Sequence, residues 1–223
     1  MKTLFTLVVT LFFSAALMAQ DWKYIPIKGT TNAGFEKQSG PVKPISTLPG
    51  KGKKGVEGWY LPFTGSLVKE SIVVTNKEAY NGDYSLQIKT NPNASVLYKG
   101  LLKHNPIKIK SPGRYKISFW VKASDTNAKI KIGSMISKDA LEQTLKMNKQ
   151  GKPFNLGDTK PKVVDLTLSK DWKQISRQVV VTKKDIEAGY EYIIPTLLMG
   201  GTPNVTFYID EFRLEYVMKS TSK

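Results

Sequence analysis

Apolar and polar residues alternate along much of this chain, and two stretches show the pattern most clearly. In residues 115–122 every second side chain is apolar, and in residues 210–216 the same alternation recurs near the end of the sequence. A period of two is typical of a β-strand with one face buried against a core. Both stretches are therefore predicted to be long strands that cover the interior of the protein.

About eight further short stretches have strand character, and turn sequences such as Asn81-Gly82 and Pro112-Gly113 separate some of them. Helical spacing appears only in residues 139–147 and, for one turn, in residues 183–188. Many short strands with little helix indicate an all-β fold. We predict an antiparallel β-sandwich (jelly roll) with one short helical insertion.

The N-terminus has the features of a secretory signal peptide. Lys2 is followed by an apolar run over residues 4–17 and by small residues near Ala19. This run is too short for a membrane span, so the mature protein is expected to be secreted, periplasmic or at the cell surface. The predicted divisions are a signal peptide (1–19), a lead-in strand (20–29), the sandwich (30–217) and a tail (218–223).

Lysine dominates the charge of the chain. The formal net charge is +16, and the only arginines are Arg114, Arg177 and Arg213. Lysine is a strongly hydrated point charge, so this excess favours loose attraction to anionic polymers over specific reading of nucleic acid. The alternative is a solvated lysine-rich surface that has no partner.

Asp210 has the same parity as Phe212 and Leu214 in the closing strand, so its carboxylate is predicted to point to the apolar side. A buried carboxylate is costly unless its charge is compensated. A metal ion, a basic residue or several backbone N–H groups would compensate it. The alternative is a position at the rim, where the group stays hydrated.

The residues that indicate a family lie in six stretches: residues 34–36, Trp59, residues 80–86, residues 113–123, residues 171–175 and residues 208–214. Together these stretches resemble the jelly-roll carbohydrate-binding modules of families 4, 9 and 22. The resemblance covers residues 30–217 and implies binding of a polysaccharide or another glycan. It also implies a structural calcium ion that joins the first and last strands through Glu36 and Asp210, since calcium prefers oxygen ligands. The alternative is a lysine-bridged carboxylate pair without metal.

Sugar binding on this fold uses aromatic rings, because a ring face matches the apolar face of a pyranose. Trp120 lies on the polar side of its strand and is the predicted platform on the concave sheet. Alternatively it packs beneath the insertion at residues 137–162. Trp172 is assigned to the core. The other predicted ligand-binding residues are Trp59 and Tyr60 at the rim, with Tyr98, Arg114 and Lys122 as lesser candidates.

The sequence gives little support for catalysis. It contains no cysteine, and its one histidine, His104, is interpreted as a surface residue of a loop. No run of closely spaced acids matches the carboxylate pair of a glycoside hydrolase. We therefore predict a non-catalytic glycan-binding protein. The alternatives are a structural or interaction protein of the cell envelope that lacks a sugar site and, third, a polysaccharide lyase or hydrolase.

Overall fold

The structure is a computed structural model that describes residues 22–37, 40–41, 56–138, 164–168 and 170–219. The predicted signal peptide, the predicted helix at residues 139–147 and nearly all of the insertion lie outside these residues. No helix among the described residues is long and apolar enough to span a membrane.

Within the described residues the chain forms two antiparallel sheets, here called sheet A and sheet B. Sheet A has the order β11-β8-β13-β5-β4-β2, with β1 paired to β13, and sheet B has the order β10-β9-β12-β6-β3, with β7 paired to β12. The strands are β1 (Trp22–Pro26), β2 (Gly40–Pro41), β3 (Trp59–Phe63), β4 (Val73–Thr75), β5 (Ser85–Lys89), β6 (Leu101–His104), β7 (Ile107–Lys108), β8 (Gly113–Ala123), β9 (Lys129–Ser137), β10 (Val164–Thr167), β11 (Lys173–Val181), β12 (Tyr192–Leu198) and β13 (Thr206–Lys219).

The inward residues of the two sheets form one hydrophobic core. The two longest predicted strands, β8 and β13, pair along most of their length at the centre of sheet A. Burial of apolar surface between the sheets is the main stabilising contribution. The prediction of an all-β antiparallel sandwich is confirmed. Core residues from the two central strands are Tyr115, Ile117, Phe119, Val121, Phe207, Ile209, Phe212 and Leu214.

Two local predictions have different outcomes. The helical turn expected at residues 183–188 is confirmed as α1 (Lys183–Glu187), which begins with a capping box between Thr182 and Asp185. One of the short stretches with predicted strand character, residues 95–101, instead contains a 3-10 turn, Leu97–Lys99, which is followed by β6.

A β-bulge in β13 changes which way Asp210 points. Asp210 pairs with Trp120, but Arg213 pairs with Ser118, so β13 contains one extra residue between these two pairs. Glu211 lies in the bulge and has a positive φ of 45°. Residues paired across strands share a face, so Asp210 lies on the outer face of sheet A with Trp120. The predicted inward orientation of Asp210 is therefore wrong, because the bulge shifts the alternation by one residue.

Candidate functional site

Asp210 is fully buried although it lies on the outer face of sheet A, because the turn at residues 80–84 covers it. The backbone N–H groups of Tyr80 and Asn81 donate to its Oδ2 at 2.8 and 3.1 Å. The N–H of Glu211 donates to Oδ1 at 2.7 Å. Burial raises the pKa of Asp210 to about 6, although the three hydrogen bonds favour its ionised form.

Glu36 holds the other end of the same turn. Its carboxylate accepts hydrogen bonds from the backbone N–H groups of Asp83 and Tyr84 at 3.0 to 3.2 Å. Gly82 has a φ of +73°, and a Cβ there would collide with the Glu36 carboxylate. Two carboxylates from distant parts of the chain thus fix the backbone of one five-residue turn.

The fixed turn places Tyr80 on two tryptophans, and we call these three rings the outer cluster. The rings of Tyr80 and Trp120 stack with centroids 3.7 Å apart and an interplanar angle of 12°. Trp172 meets Tyr80 edge-on, with centroids 6.0 Å apart. Tyr80 keeps 41% of its surface exposed. Trp120 and Trp172 are half-buried, so the assignment of Trp172 to the core is wrong.

Lys122, another predicted ligand-binding residue, lies on the same face as Trp120. Its ammonium group forms an ion pair with Glu78, with Nζ and Oε2 2.8 Å apart. The pair is only partly exposed, and each of the two charges offsets the other. Tyr208, which pairs with Lys122 on β13, is half-buried on this face.

Trp59 does not form a rim. It is 4% exposed and lies in the core, where its ring contacts Phe35, Phe119 and Phe212 at centroid distances of 5.2 to 6.0 Å. Its indole N–H donates to the backbone carbonyl of Asn32 at 3.1 Å. The predicted rim role of Trp59 is wrong because β3 turns this side chain between the sheets.

Tyr60 is the next residue of β3 and therefore points to the outer face of sheet B. It is only 2% exposed, and burial raises the pKa of its hydroxyl. Lys103 pairs with Tyr60 on the same face and is fully buried, with Nζ 3.3 Å from the Met135 sulfur. Burial lowers the pKa of Lys103 to about 7. The rim role predicted for Tyr60 is not supported, since little of its ring reaches solvent.

The two remaining candidates are exposed but lie apart from the outer cluster. Tyr98 is 57% exposed on the 3-10 turn Leu97–Lys99, which contacts the end of β12 in sheet B. Arg114 is exposed on β8 in sheet A, six residues before Trp120, and its guanidinium lies over the ring of Trp22.

His104 is 1% exposed, so the interpretation of it as a surface loop residue is wrong. It ends β6 and faces the core, where its ring stacks on Phe212. Its Nδ1 donates to the carbonyl of Asn105 at 2.7 Å, and its Nε2 accepts the N–H of Thr31 at 3.2 Å. Burial lowers the pKa of His104, which favours this neutral form.

Glu36 and Asp210, the residues implied to bind calcium, approach one small region around Gly34. A Cβ on Gly34 would lie 3.5 Å from Asp210 Oδ1 and 3.8 Å from Glu36 Cγ. Carboxylate oxygens suit calcium, but the described part of the chain contains no group of three acidic or histidine side chains that could hold a metal. These two carboxylates would thus supply only part of a calcium shell, and backbone carbonyls and water would complete it.

The comparisons with known proteins agree on the fold. Residues 29–196 match the model of the family CBM_4_9, described as a carbohydrate binding domain. A search of curated proteins finds no match.

Solved structures with the same fold include a family 4 carbohydrate-binding module (14% identity, TM-score 0.50, 85% of this chain and 99% of that chain). Another is the arabinose-bound α-L-arabinofuranosidase MgGH51 (12% identity, TM-score 0.51, 87% of this chain and 26% of that chain). A weaker match is the module TmCBM61 in complex with β-1,4-galactotriose (14% identity, TM-score 0.48, 85% of this chain and 97% of that chain). At these identities the first two matches show a shared fold.

Proposed function

Because this chain belongs to the CBM_4_9 family of carbohydrate binding domains, we propose that it is a secreted, non-catalytic protein that binds polysaccharide through the outer cluster. The observation that carries this proposal is the stacked, partly exposed pair of Tyr80 and Trp120. Trp172 borders the pair, and Lys122 and Glu78 supply polar groups beside it.

The physical basis is a rigid aromatic surface. Pyranose rings present an apolar C–H face to which an aromatic ring is complementary, while adjacent polar groups bind the hydroxyls. Because Asp210 fixes the backbone N–H of Tyr80 and Trp120 supports its ring, little conformational entropy is lost when a sugar binds. The net charge of +16 adds attraction to acidic polysaccharides.

The absence of catalysis is proposed on the surroundings of three ionisable residues, Glu78, Asp210 and His104. Glu78, beside the outer cluster, is held by Lys122, and Asp210 is buried beneath the turn. His104 lies in the core with both ring nitrogens on backbone groups. None of these groups is placed to exchange protons with a sugar on the outer cluster. Secretion is proposed on the basic and apolar start of the chain.

The test is affinity electrophoresis in native gels that contain neutral or acidic polysaccharides. Wild-type protein should be retarded by at least one polymer, and Tyr80→Ala and Trp120→Ala should each weaken that binding about tenfold, which corresponds to about 1.4 kcal/mol. Tyr98→Ala is the matched control, because it removes an exposed tyrosine from the sheet B side. No retardation by any polymer, or equal loss in the control, would contradict the proposal.

We also propose that Glu36 and Asp210 bind a structural calcium ion. Support comes from their convergence near Gly34 and from the burial of Asp210, whose ionised form a cation would stabilise. Calcium should raise the thermal midpoint of the wild type after chelator treatment, and it should have no such effect on Asp210→Asn. An equal response in both proteins, or none in the wild type, would contradict a calcium ion at Asp210. The charge of the Asp210 carboxylate would then be compensated by the backbone N–H groups alone.

A second candidate function is an interaction protein without a sugar site. It is favoured by the outer face of sheet B, where Tyr60, Lys103 and Ile194 are at most 2% exposed. Such a face offers no open surface to a polysaccharide at these residues. This candidate predicts that wild-type protein moves unretarded through every gel in the experiment above.

A further inference from the structure

Sheet A carries a second group of aromatic rings on its outer face, and this group is paired with cations. The ammonium of Lys116 lies 4.7 Å from the ring centroid of Tyr24, and the guanidinium of Arg114 lies 5.9 Å from that of Trp22. Tyr24 is 41% exposed, as much as Tyr80. We call Trp22, Tyr24, Arg114 and Lys116 the basic station.

The basic station and the outer cluster lie on the same face of sheet A. Arg114, Lys116 and Trp120 have the same parity on β8, opposite to the core residues of that strand. Lys116 and Trp120 are four residues apart, which corresponds to about 13 Å along a strand. This separation is longer than a single sugar ring, so only a chain of sugars would contact both places at once.

The two places differ in charge. At the outer cluster Lys122 is neutralised by Glu78, with 2.8 Å between the charged atoms. At the basic station, Glu215 pairs in register with Lys116 and offsets part of its charge. Among the described residues Arg114 has a ring contact and forms no ion pair. The basic station therefore keeps an excess of positive charge, carried chiefly by an exposed guanidinium.

We propose that a polysaccharide lies along β8 from the outer cluster to the basic station, and that the basic station binds a carboxylate of an acidic sugar. This inference rests on the function proposed above and adds the chemical class of the ligand. A guanidinium presents two parallel N–H donors that match a carboxylate. The rings of Trp22 and Tyr24 hold the two cations near the sheet and offer apolar surface to the sugar.

The experiment compares each acidic polymer with its own neutral form. Native gels contain polygalacturonate, alginate, the methyl ester of either polymer, or a panel of neutral polysaccharides. The test variant is Arg114→Gln/Lys116→Gln. The control variant, Lys99→Gln/Lys129→Gln, removes the same charge from exposed positions outside sheet A. Tyr80→Ala reports on the outer cluster, and near-ultraviolet circular dichroism verifies that each variant is folded.

The expected result is that at least one acidic polymer binds the wild type more tightly than its ester does. The test variant should lose about fivefold in affinity for that polymer, as expected for two partly exposed charge contacts, and nothing for the ester. The control variant should lose less than about twofold, since bulk attraction is spread over many lysines.

Three outcomes would overturn the inference: equal losses in the test and control variants, equal binding of acid and ester, or binding of neutral polymers alone. In each of these outcomes a loss of binding in Tyr80→Ala would still support the proposed function. If no polymer retards the wild type, the proposed function itself fails.

Discussion

Two clusters of aromatic rings lie on opposite sides of sheet A, and they differ in what surrounds them. Phe119 and Trp120 are adjacent in sequence, yet Phe119 belongs to the core and Trp120 to the outer cluster. The rings around Phe119 form the inner cluster, which consists of Phe35, Trp59, His104, Phe119 and Phe212. Much of Tyr80 in the outer cluster is exposed, whereas every ring of the inner cluster is at most 4% exposed.

The difference shows that residue type does not decide the role of an aromatic side chain in this fold. In the inner cluster the polar atoms of Trp59 and His104 bind backbone groups, so the rings contribute to stability. In the outer cluster the rings are held in place by a turn that itself depends on Asp210. We therefore expect changes in the inner cluster to alter stability and changes in the outer cluster to alter recognition.

The largest expected effect comes from truncating one tryptophan in each cluster. Trp59→Ala should lower the free energy of unfolding by about 3–5 kcal/mol, because it leaves a large cavity in the core. Trp120→Ala should cost about 1 kcal/mol, since its ring is partly exposed and stacks on the partly exposed ring of Tyr80. Denaturant unfolding followed by circular dichroism measures both. Equal costs would contradict the division into two clusters.

The next effect concerns the two carboxylates that hold the turn. Asp210→Ala leaves three backbone N–H groups without their acceptor beneath the turn and should cost about 3 kcal/mol of stability. Glu36→Ala removes an exposed carboxylate and should cost about 1 kcal/mol. Chemical unfolding compares the two variants. A larger loss of stability in Glu36→Ala than in Asp210→Ala would contradict this order. It would mean that Glu36 is the main anchor of the turn.

The smallest effect is a pH dependence from His104 in the inner cluster. Its folded-state pKa lies below the ordinary value of 6.5, so the unfolded chain binds a proton at higher pH than the folded protein does. Stability should therefore fall as the pH decreases from about 6.5 toward the folded-state pKa.

His104→Phe should remove this part of the pH dependence, and the difference between the two unfolding curves between about pH 5 and pH 7.5 isolates it. His104→Phe also loses the hydrogen bonds to Thr31 and Asn105, so it should be less stable at every pH. Parallel curves for the two proteins would contradict a neutral, buried His104.

The alternation of apolar residues was sufficient to predict the sandwich, because β8 and β13 follow a strict period of two over most of their length. It failed at Asp210, since a single bulged residue reverses which face a side chain points to. Nothing in residues 204–217 marks the bulge, for Glu211 is not a residue type that favours a positive φ.

The composition of the outer cluster depends on contacts that local patterns do not contain. The sequence indicates a turn around Asn81-Gly82, and it places Trp120 on the polar side of its strand. Docking of the turn on Asp210, 130 residues later, brings Tyr80 onto Trp120. Trp172 lies just before β11, where the strand period no longer fixes its direction. Long-range contacts of this kind cannot be read from spacing.

Tryptophan-specific NMR tests the central claim most directly, because the chain has four tryptophans in three environments. In protein labelled with 5-fluorotryptophan, titration with a polysaccharide that retards the wild type should shift the resonances of Trp120 and Trp172. The resonance of Trp59 should stay unchanged, since its ring is enclosed in the core. Shifts confined to Trp59, or no shift at saturating polymer, would contradict recognition at the outer cluster.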